Sequence, residues 1–495
     1  MGSIVTVAIL LRVFHLNYLS LWVDELFSRY YYDLFGPLYM VTQGLSVEPT
    51  PPLYYFVLET WMSMFGHSAA AMRSLSVVAS IIALPLVYAV AQELSTRTVA
   101  LVAIALFAVS PMAVFFSQEA RVYMLTLIPT SLMLLGISRY LRCPRGADLG
   151  LYGVGAVIGL YSHATLAFMV AACNFVVVGY LLFTASAERT TALRDWIVTN
   201  VVVGILAVPL IYSMLTIGTH GTGLSWIAPL SLHDLTISMT ALVAGMITPP
   251  EVPGAELTAL VLLAAGAAIV LGKMPRRPLA ILIGIPAVFM MLVLVASLKQ
   301  PILLPRILCW MTLPLCVTLA YATVTPSRAR VAARATVLLT FAVGLYYQLA
   351  LADGAKPPFR EMFAQARPNL AQADEIVIGP WTPPLPLTYY APGLTNVRKW
   401  MDPSASGIEV KELPERLGIP KIDLQQVQTD IRSGKVVWLF TSSPDERFLP
   451  QWLNSVPSPD RSYKPACPAL ARYNGKKAFF CIAMYGWNVN HPSSQ

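Results

Sequence analysis

Two carboxylates stand side by side in Trp22-Val23-Asp24-Glu25, directly after the first apolar run of the chain. Burying a carboxylate costs several kcal/mol unless it is paired or protonated. Such a pair at the edge of an apolar segment either lies in a wet loop or is held at the mouth of a helical bundle to do chemistry. A second group of charges sits in Ser110-Pro111-Met112-Ala113-Val114-Phe115-Phe116-Ser117-Gln118-Glu119-Ala120-Arg121-Val122-Tyr123-Met124, between two apolar runs. Glu119 and Arg121 either satisfy each other in a polar turn or face the same cavity as Asp24. Arg306, in Leu303-Leu304-Pro305-Arg306, and Arg73 each have two readings. Each is a snorkelling arginine or a cation shaped for a lipid phosphate. His163, at the end of Tyr161-Ser162-His163, is a structural hydrogen-bonder or a further member of this group.

The elements that position these residues follow from composition. Of 495 residues, 56% are hydrophobic and 12% charged, against roughly 25% charged in soluble domains. The chain reads as mainly α, a polytopic membrane protein. The net charge of +8 comes from short basic loops between apolar runs, as topology determinants do, and gives no sign of nucleic acid. Spans are expected at about 71–92, 97–116, 121–141, 149–163, 164–184, 195–217, 256–272, 279–298, 305–324 and 333–351. The first run is short. Even through Leu16 it covers roughly 21–24 Å at 1.5 Å per residue, against ~30 Å of hydrocarbon.

The loops carrying Arg97, Arg139, Arg142, Arg145, Arg189, Arg194, Lys273, Arg276, Arg277, Arg328, Arg330 and Arg334 fall on one side only if the segments 51–65 and 236–249 do not span. That side is cytoplasmic by the positive-inside rule. About eleven transmembrane helices result, with the N-terminus inside and the C-terminal region outside. The same parity gathers Asp24, Glu25, Glu48, Arg73, Glu119, Arg121, His163, Lys299 and Arg306 at the outer face. In the first outer loop, about 17–70, two interfacial helices are expected. One is the aromatic stretch Leu26–Thr42, broken near Gly36-Pro37. The other is Leu53–Phe65, started by prolines and closed by Gly66.

From about Asp353 the composition turns to prolines, charges and short strand-like runs, so the division expected is 1–352 and an extracytoplasmic α/β domain at 353–495. Glu375–Ile378 and Val436–Thr441 read as buried strands, each after a helix-like stretch (Arg360–Ala371, Leu424–Ser433). Asn474-Gly475 reads as a hairpin turn between Pro468–Tyr473 and Ala478–Met484. Of six cysteines, Cys143, Cys173, Cys309 and Cys316 lie in or beside apolar runs, whereas Cys467 and Cys481 flank that turn and can pair outside the cytoplasm. No cleavable signal peptide, internal repeat, phosphate loop or nucleophile motif is evident.

The order and spacing of these motifs resemble the dolichyl-phosphate-mannose protein mannosyltransferase family. Its bacterial relatives, including the lipid A aminoarabinose transferase, share the C-type glycosyltransferase fold. The resemblance runs through Trp22-x-Asp24-Glu25, Pro51-Pro52-Leu53-Tyr54-Tyr55, Gly66 with Arg73, Ser110-Pro111 with Ser117 to Met124, Arg306, and Tyr389-Tyr390. Where the family has His before its Pro-Leu-Tyr-Tyr element, this chain has Thr50-Pro51.

The resemblance implies a glycosyltransferase of the cell envelope in a bacterial inner membrane. It would move a sugar from a polyprenyl-phosphate donor to a glycan, lipid or protein acceptor, with membrane lipids around it. Asp24 would be the base of an inverting displacement, and Glu25 would orient the loop or help position the acceptor. Arg121 and Arg306, with Arg73 and His163 behind them, would hold the donor phosphate. Glu119, Tyr123, Tyr54 and Tyr55 would support them. Glu119 could also serve a divalent metal, for which the sequence has no clear ligand set. Two other readings are a flippase for lipid-linked sugars and a non-catalytic polyprenyl-phosphate-binding relative. A transporter is expected to show internal repeats and charges near the bilayer midplane, whereas here the charges gather at one face.

Overall fold

The computed structural model describes residues 1–46, 48, 50–183, 189–216, 227, 229–247, 252–350, 355–401, 408–442, 452, 455–465, 467 and 481–489. The chain forms two compact units, and they interleave in sequence. One is built from Met1–Leu16, Val41–His220 and Pro229–Leu351, whereas Asn17–Met40 packs with Ala352–Gln495 in the other.

The first unit is helical. Among the described residues, seven helices are long and apolar enough to cross a membrane: Ala69–Leu94, Val122–Arg142, Leu166–Phe183, Gly254–Leu271, Arg276–Lys299, Pro305–Val324 and Arg330–Ala350. An eighth is obtained if Arg97–Val109 and Pro111–Ser117, bent by 55° from each other, form one broken span. Local sequence explains the break. Ser110 leaves the helix in an extended conformation and its side chain caps the next one, with Pro111 in the first turn. Ser68 and Thr96 cap their helices in the same way. Three further segments expected to span are shorter or more charged. Gly2–Val13 has 12 residues and Gly146–Ser162 has 17. Arg189–Leu206 carries Arg189, Arg194 and Asp195.

Arg12 shows how the short first helix is held. Its guanidinium is fully buried. It donates to Ser80 Oγ (2.6 Å), to the Ala108 and Phe107 carbonyls (2.8 and 3.2 Å) and to the Ala8 carbonyl (3.1 Å). Phe107 and Ala108 are among the last residues of Arg97–Val109, whose terminal carbonyls have no partner within their own helix. A buried cation there is favourable for the helix dipole as well.

In this unit Leu53–Phe65 is a helix that ends at Gly66, where φ is +88°. In the other unit Val23–Thr42 is helical with a break at Gly36 (φ +75°), one residue before Pro37. Both positions need the left-handed region that glycine enters at least cost.

The second unit carries a six-stranded sheet: β1 (Glu375–Ile378), β2 (Val397–Trp400), β3 (Lys421–Ile422), β4 (Val437–Ser442), β5 (Arg461–Tyr463) and β6 (Ile482–Trp487). The strand order is β3-β2-β1-β4-β6-β5. The first four strands are mutually parallel, and β6 runs antiparallel to β4 and β5. Alternation along β1 and β4 sends Ile376, Ile378, Trp438 and Phe440 to one face, against Phe359, Met362 and Phe363. Val377, Val437 and Leu439 go to the other face, against Val427 and Ile431. Val23 belongs to the first of these cores, with Trp22 packed on it. Cys467 and Cys481 form a disulfide, while the expected turn at Asn474-Gly475 lies outside the described residues.

Candidate functional site

In the helical unit the charged turn before Val122 is built by neighbours distant in sequence. Arg121 is extended (φ −139°, ψ 163°) at the entry to a short 3-10 turn. Ser76, on Ala69–Leu94, donates to the Glu119 carbonyl at 2.6 Å and fixes the turn from beneath. Arg121 is only 4% exposed. One nitrogen lies 3.4 Å from Glu48 Oε1 and another donates to Tyr55 Oη at 3.4 Å. Glu48 in turn accepts from the Thr50 hydroxyl at 2.7 Å. Tyr54 and Tyr55, in the first turn of Leu53–Phe65, are buried, with ring centroids 5.3 Å apart.

His163 ends the helix Gly146–Ser162 and lies within electrostatic reach of both Arg121 and Arg306. Its ring is 5.7 Å from that of Tyr123, and its Nδ1 is 2.8 Å from the Thr165 hydroxyl. Arg306, half-buried, opens the 3-10 turn that leads into Thr312–Val324. Arg121, Arg306, His163, Tyr123, Tyr54 and Tyr55 thus belong to one neighbourhood, with Glu48 as its counter-charge. Arg73 stands about one turn before Ser76 on the same helix. It is buried in Ala69–Leu94 and donates to the Leu16 carbonyl at 3.0 Å, behind the first helix. Glu119 is buried.

The acidic pair lies in the other unit, in the first turn of Val23–Thr42, where negative charge favours the helix N-terminus. The neighbours in sequence have different surroundings. Asp24 is half-buried. Glu25 is wholly buried and ion-paired to Lys356, Oε2 to Nζ 2.9 Å, with the lysine side chain 2% exposed. Glu25 Oε2 also accepts from the Trp22 backbone N–H at 3.4 Å. Tyr390, from the Tyr389-Tyr390 motif, hydrogen-bonds through its hydroxyl to the backbone of Leu21.

Sequence reasoning placed Glu48 on the outer face without its partner and missed Lys356, Ser76 and Gln118. Gln118 donates to the Phe14 and Leu11 carbonyls at 2.7 and 3.1 Å, closing the first helix. The parity of the basic loops would have put Lys356 outside too, but nothing in its Ala355-Lys356-Pro357 surroundings points to Glu25. Among the described residues no group of three or more His, Cys, Asp or Glu side chains is gathered that could hold a metal ion.

The comparisons with known proteins agree with this architecture. Residues 49–213, which contain Tyr54, Tyr55, Arg73, Glu119, Arg121, Tyr123 and His163, match the family model of dolichyl-phosphate-mannose-protein mannosyltransferases. No curated protein matches the chain in sequence. Among solved structures, ArnT from Cupriavidus metallidurans bound to undecaprenyl phosphate is similar with a TM-score of 0.61. The identity is 13%, over 99% of this chain and 98% of that one. ArnT from the same organism in the apo state gives a TM-score of 0.60 at 12% identity, over 98% and 97% of the two chains. The chain thus shares the ArnT fold almost from end to end, and over residues 49–213 it carries the sequence pattern of the dolichyl-phosphate-mannose-protein mannosyltransferase family.

Proposed function

We propose that the protein is a membrane glycosyltransferase that moves a sugar from a polyprenyl-phosphate donor to an acceptor hydroxyl on the extracytoplasmic side, with inversion. The observation that carries this reading is the buried Arg121, held by Glu48 and Tyr55 and sharing its surroundings with His163 and Arg306. The match of residues 49–213 to the mannosyltransferase family supports it. The bound undecaprenyl phosphate of the ArnT structure is consistent with the donor class.

In the proposed reaction Asp24 accepts the proton of the acceptor hydroxyl as its oxygen attacks the anomeric carbon. The bond from that carbon to the phosphate oxygen breaks on the opposite face. The donor phosphodiester carries one negative charge and the departing polyprenyl phosphate two, so the cations act most on the developing second charge. Arg121 and Arg306 supply that field. Arg73 and His163 stand behind them at the donor phosphate, and Tyr123 supports them.

About eleven spans, a cytoplasmic N-terminus and an extracytoplasmic domain at 353–495 in a bacterial inner membrane complete the reading, supported by the basic-loop parity. The gathering of charge at one face, with no internal repeat in the sequence, favours transfer over translocation. The test is a detergent-purified preparation given radiolabelled polyprenyl-phosphate sugars. Wild type transfers label, and Asp24→Asn loses about 10²–10⁴ in turnover while eluting as a monodisperse peak like wild type. Normal transfer by Asp24→Asn rules out Asp24 as the base, and movement of label across vesicles without transfer assigns the protein to translocation.

A further inference from the structure

The segment bearing Asp24 is tied along its length to residues of the C-terminal part of the chain. Before it, Arg360 donates to the Asn17 carbonyl at 3.1 Å, and Ser20 Oγ bonds Glu361 Oε2 at 3.0 Å. Val23 is buried in the core formed with Phe359, Phe363 and Phe440. Beyond it, the Arg416 guanidinium lies 4.0 Å over the Phe35 ring and donates to the Leu34 carbonyl at 2.9 Å. These contacts fix where the helix is. The burial of Val23, Leu26 and Phe27 sets its rotation broadly.

The buried Glu25–Lys356 pair adds a directional polar constraint at the first turn. Two buried charges are a poor way to gain stability, because an apolar pair of the same volume is often as stable or more so. What an ion pair adds is direction. Glu25 turns its charge toward Lys356, and successive side chains on a helix diverge by about 100°. Holding Glu25 inward therefore sets the direction in which Asp24 projects. The two environments agree with this, Glu25 being fully buried and Asp24 half-buried. We infer that Lys356, acting through Glu25, is a positioning residue for Asp24. The inference rests on the role proposed above for Asp24, and it gives Glu25 an orienting task with no direct part in proton transfer.

The experiment combines kinetics with hydrogen exchange of residues 20–30 in the full-length protein. Lys356→Met should exchange faster in that segment than wild type. Its kcat should fall about 30-fold or more, since a misplacement of 1 Å can cost 10²-fold, with the donor KM within twofold. Lys356→Arg should recover most of kcat. If Lys356→Met is too unstable to purify, the double variant Glu25→Gln/Lys356→Met, which leaves no orphaned charge, gives the same two readouts. Unchanged exchange in the segment overturns the inference. So does faster exchange with normal kcat in an active enzyme. If wild type transfers no sugar from any polyprenyl-phosphate donor, the proposed function fails. The exchange result still decides whether Lys356 holds the Asp24 turn.

Discussion

Replacing Arg121 by Gln tests the proposed phosphate-binding role most directly. The guanidinium is almost fully buried beside Glu48 and Tyr55, so solvent screening at this site is weak. A unit charge about 4 Å away at an effective dielectric of about 20 interacts by about 4 kcal/mol. The donor already carries one charge in the ground state, and that part of the interaction appears in KM. Only the second charge, about half developed at the transition state, appears in kcat, worth about 2 kcal/mol. At 1.36 kcal/mol per decade this is a loss of about 30-fold in kcat. The assay is transfer from a radiolabelled polyprenyl-phosphate sugar at several donor concentrations, with melting of the detergent-solubilised protein as a check on folding. Arg121→Lys, which keeps the charge but cannot span both Glu48 and Tyr55 as a planar fork does, should fall between Gln and wild type. If Arg121→Gln raises KM with kcat within threefold of wild type, the arginine holds the donor without stabilising the leaving charge, which refutes its proposed role in the transition state.

Two further outcomes are expected. Arg12→Leu should lower stability by about 3–5 kcal/mol, because it strips the Phe107 and Ala108 carbonyls of a buried cationic donor. Thermal melting of the purified variant checks this, and a melting point equal to wild type would show that the arginine is dispensable. Glu375 is held well above the ordinary carboxylate range, at about 7, first by burial and then by the neighbouring Asp430 carboxylate; Lys435 and Arg398 partly oppose the shift. With its folded pKa raised, Glu375 contributes stability that is full below about pH 4.5 and is lost as pH rises through 7. Protection of β1 and β4 in hydrogen exchange, corrected for intrinsic rates, should therefore fall between pH 5 and 8 in wild type and stay flatter in Glu375→Gln.

Features set by local chemistry were legible in the sequence. Leu53–Phe65 begins after two prolines and ends at glycine, as its residues dictate. The break at Gly36 and the strand Glu375–Ile378 are equally local. The membrane-crossing helices were legible where twenty apolar residues run together. Shorter or more charged segments such as Gly146–Ser162 and Arg189–Leu206 depend on neighbours that composition does not name. Pairings were not legible. Arg121 forms an ion pair with Glu48, 73 positions away, and no local pattern announces it. Glu25 read as half of an acidic pair in a wet loop or at the mouth of the bundle, and the structure buries it against a lysine that neither reading names. Hydropathy reports one residue at a time, and a buried charge looks like an exposed one until its partner is known. The membership of Asn17–Met40 in the unit formed by the C-terminal residues was hidden for the same reason, since nothing within that segment encodes what it packs on.

That interleaving bears on how the protein is made. Glu25 and Lys356 are separated by 331 positions. At synthesis rates of about 5–20 residues per second, roughly 15–65 s pass between their emergence from the ribosome. During that interval the Asp24 turn lacks the core that receives Val23 and the cation that receives Glu25. The carboxylate pair is thus translated long before it acquires its final surroundings, so a nascent chain that stops ahead of Lys356 holds Asp24 beside a Glu25 that still lacks its buried cation.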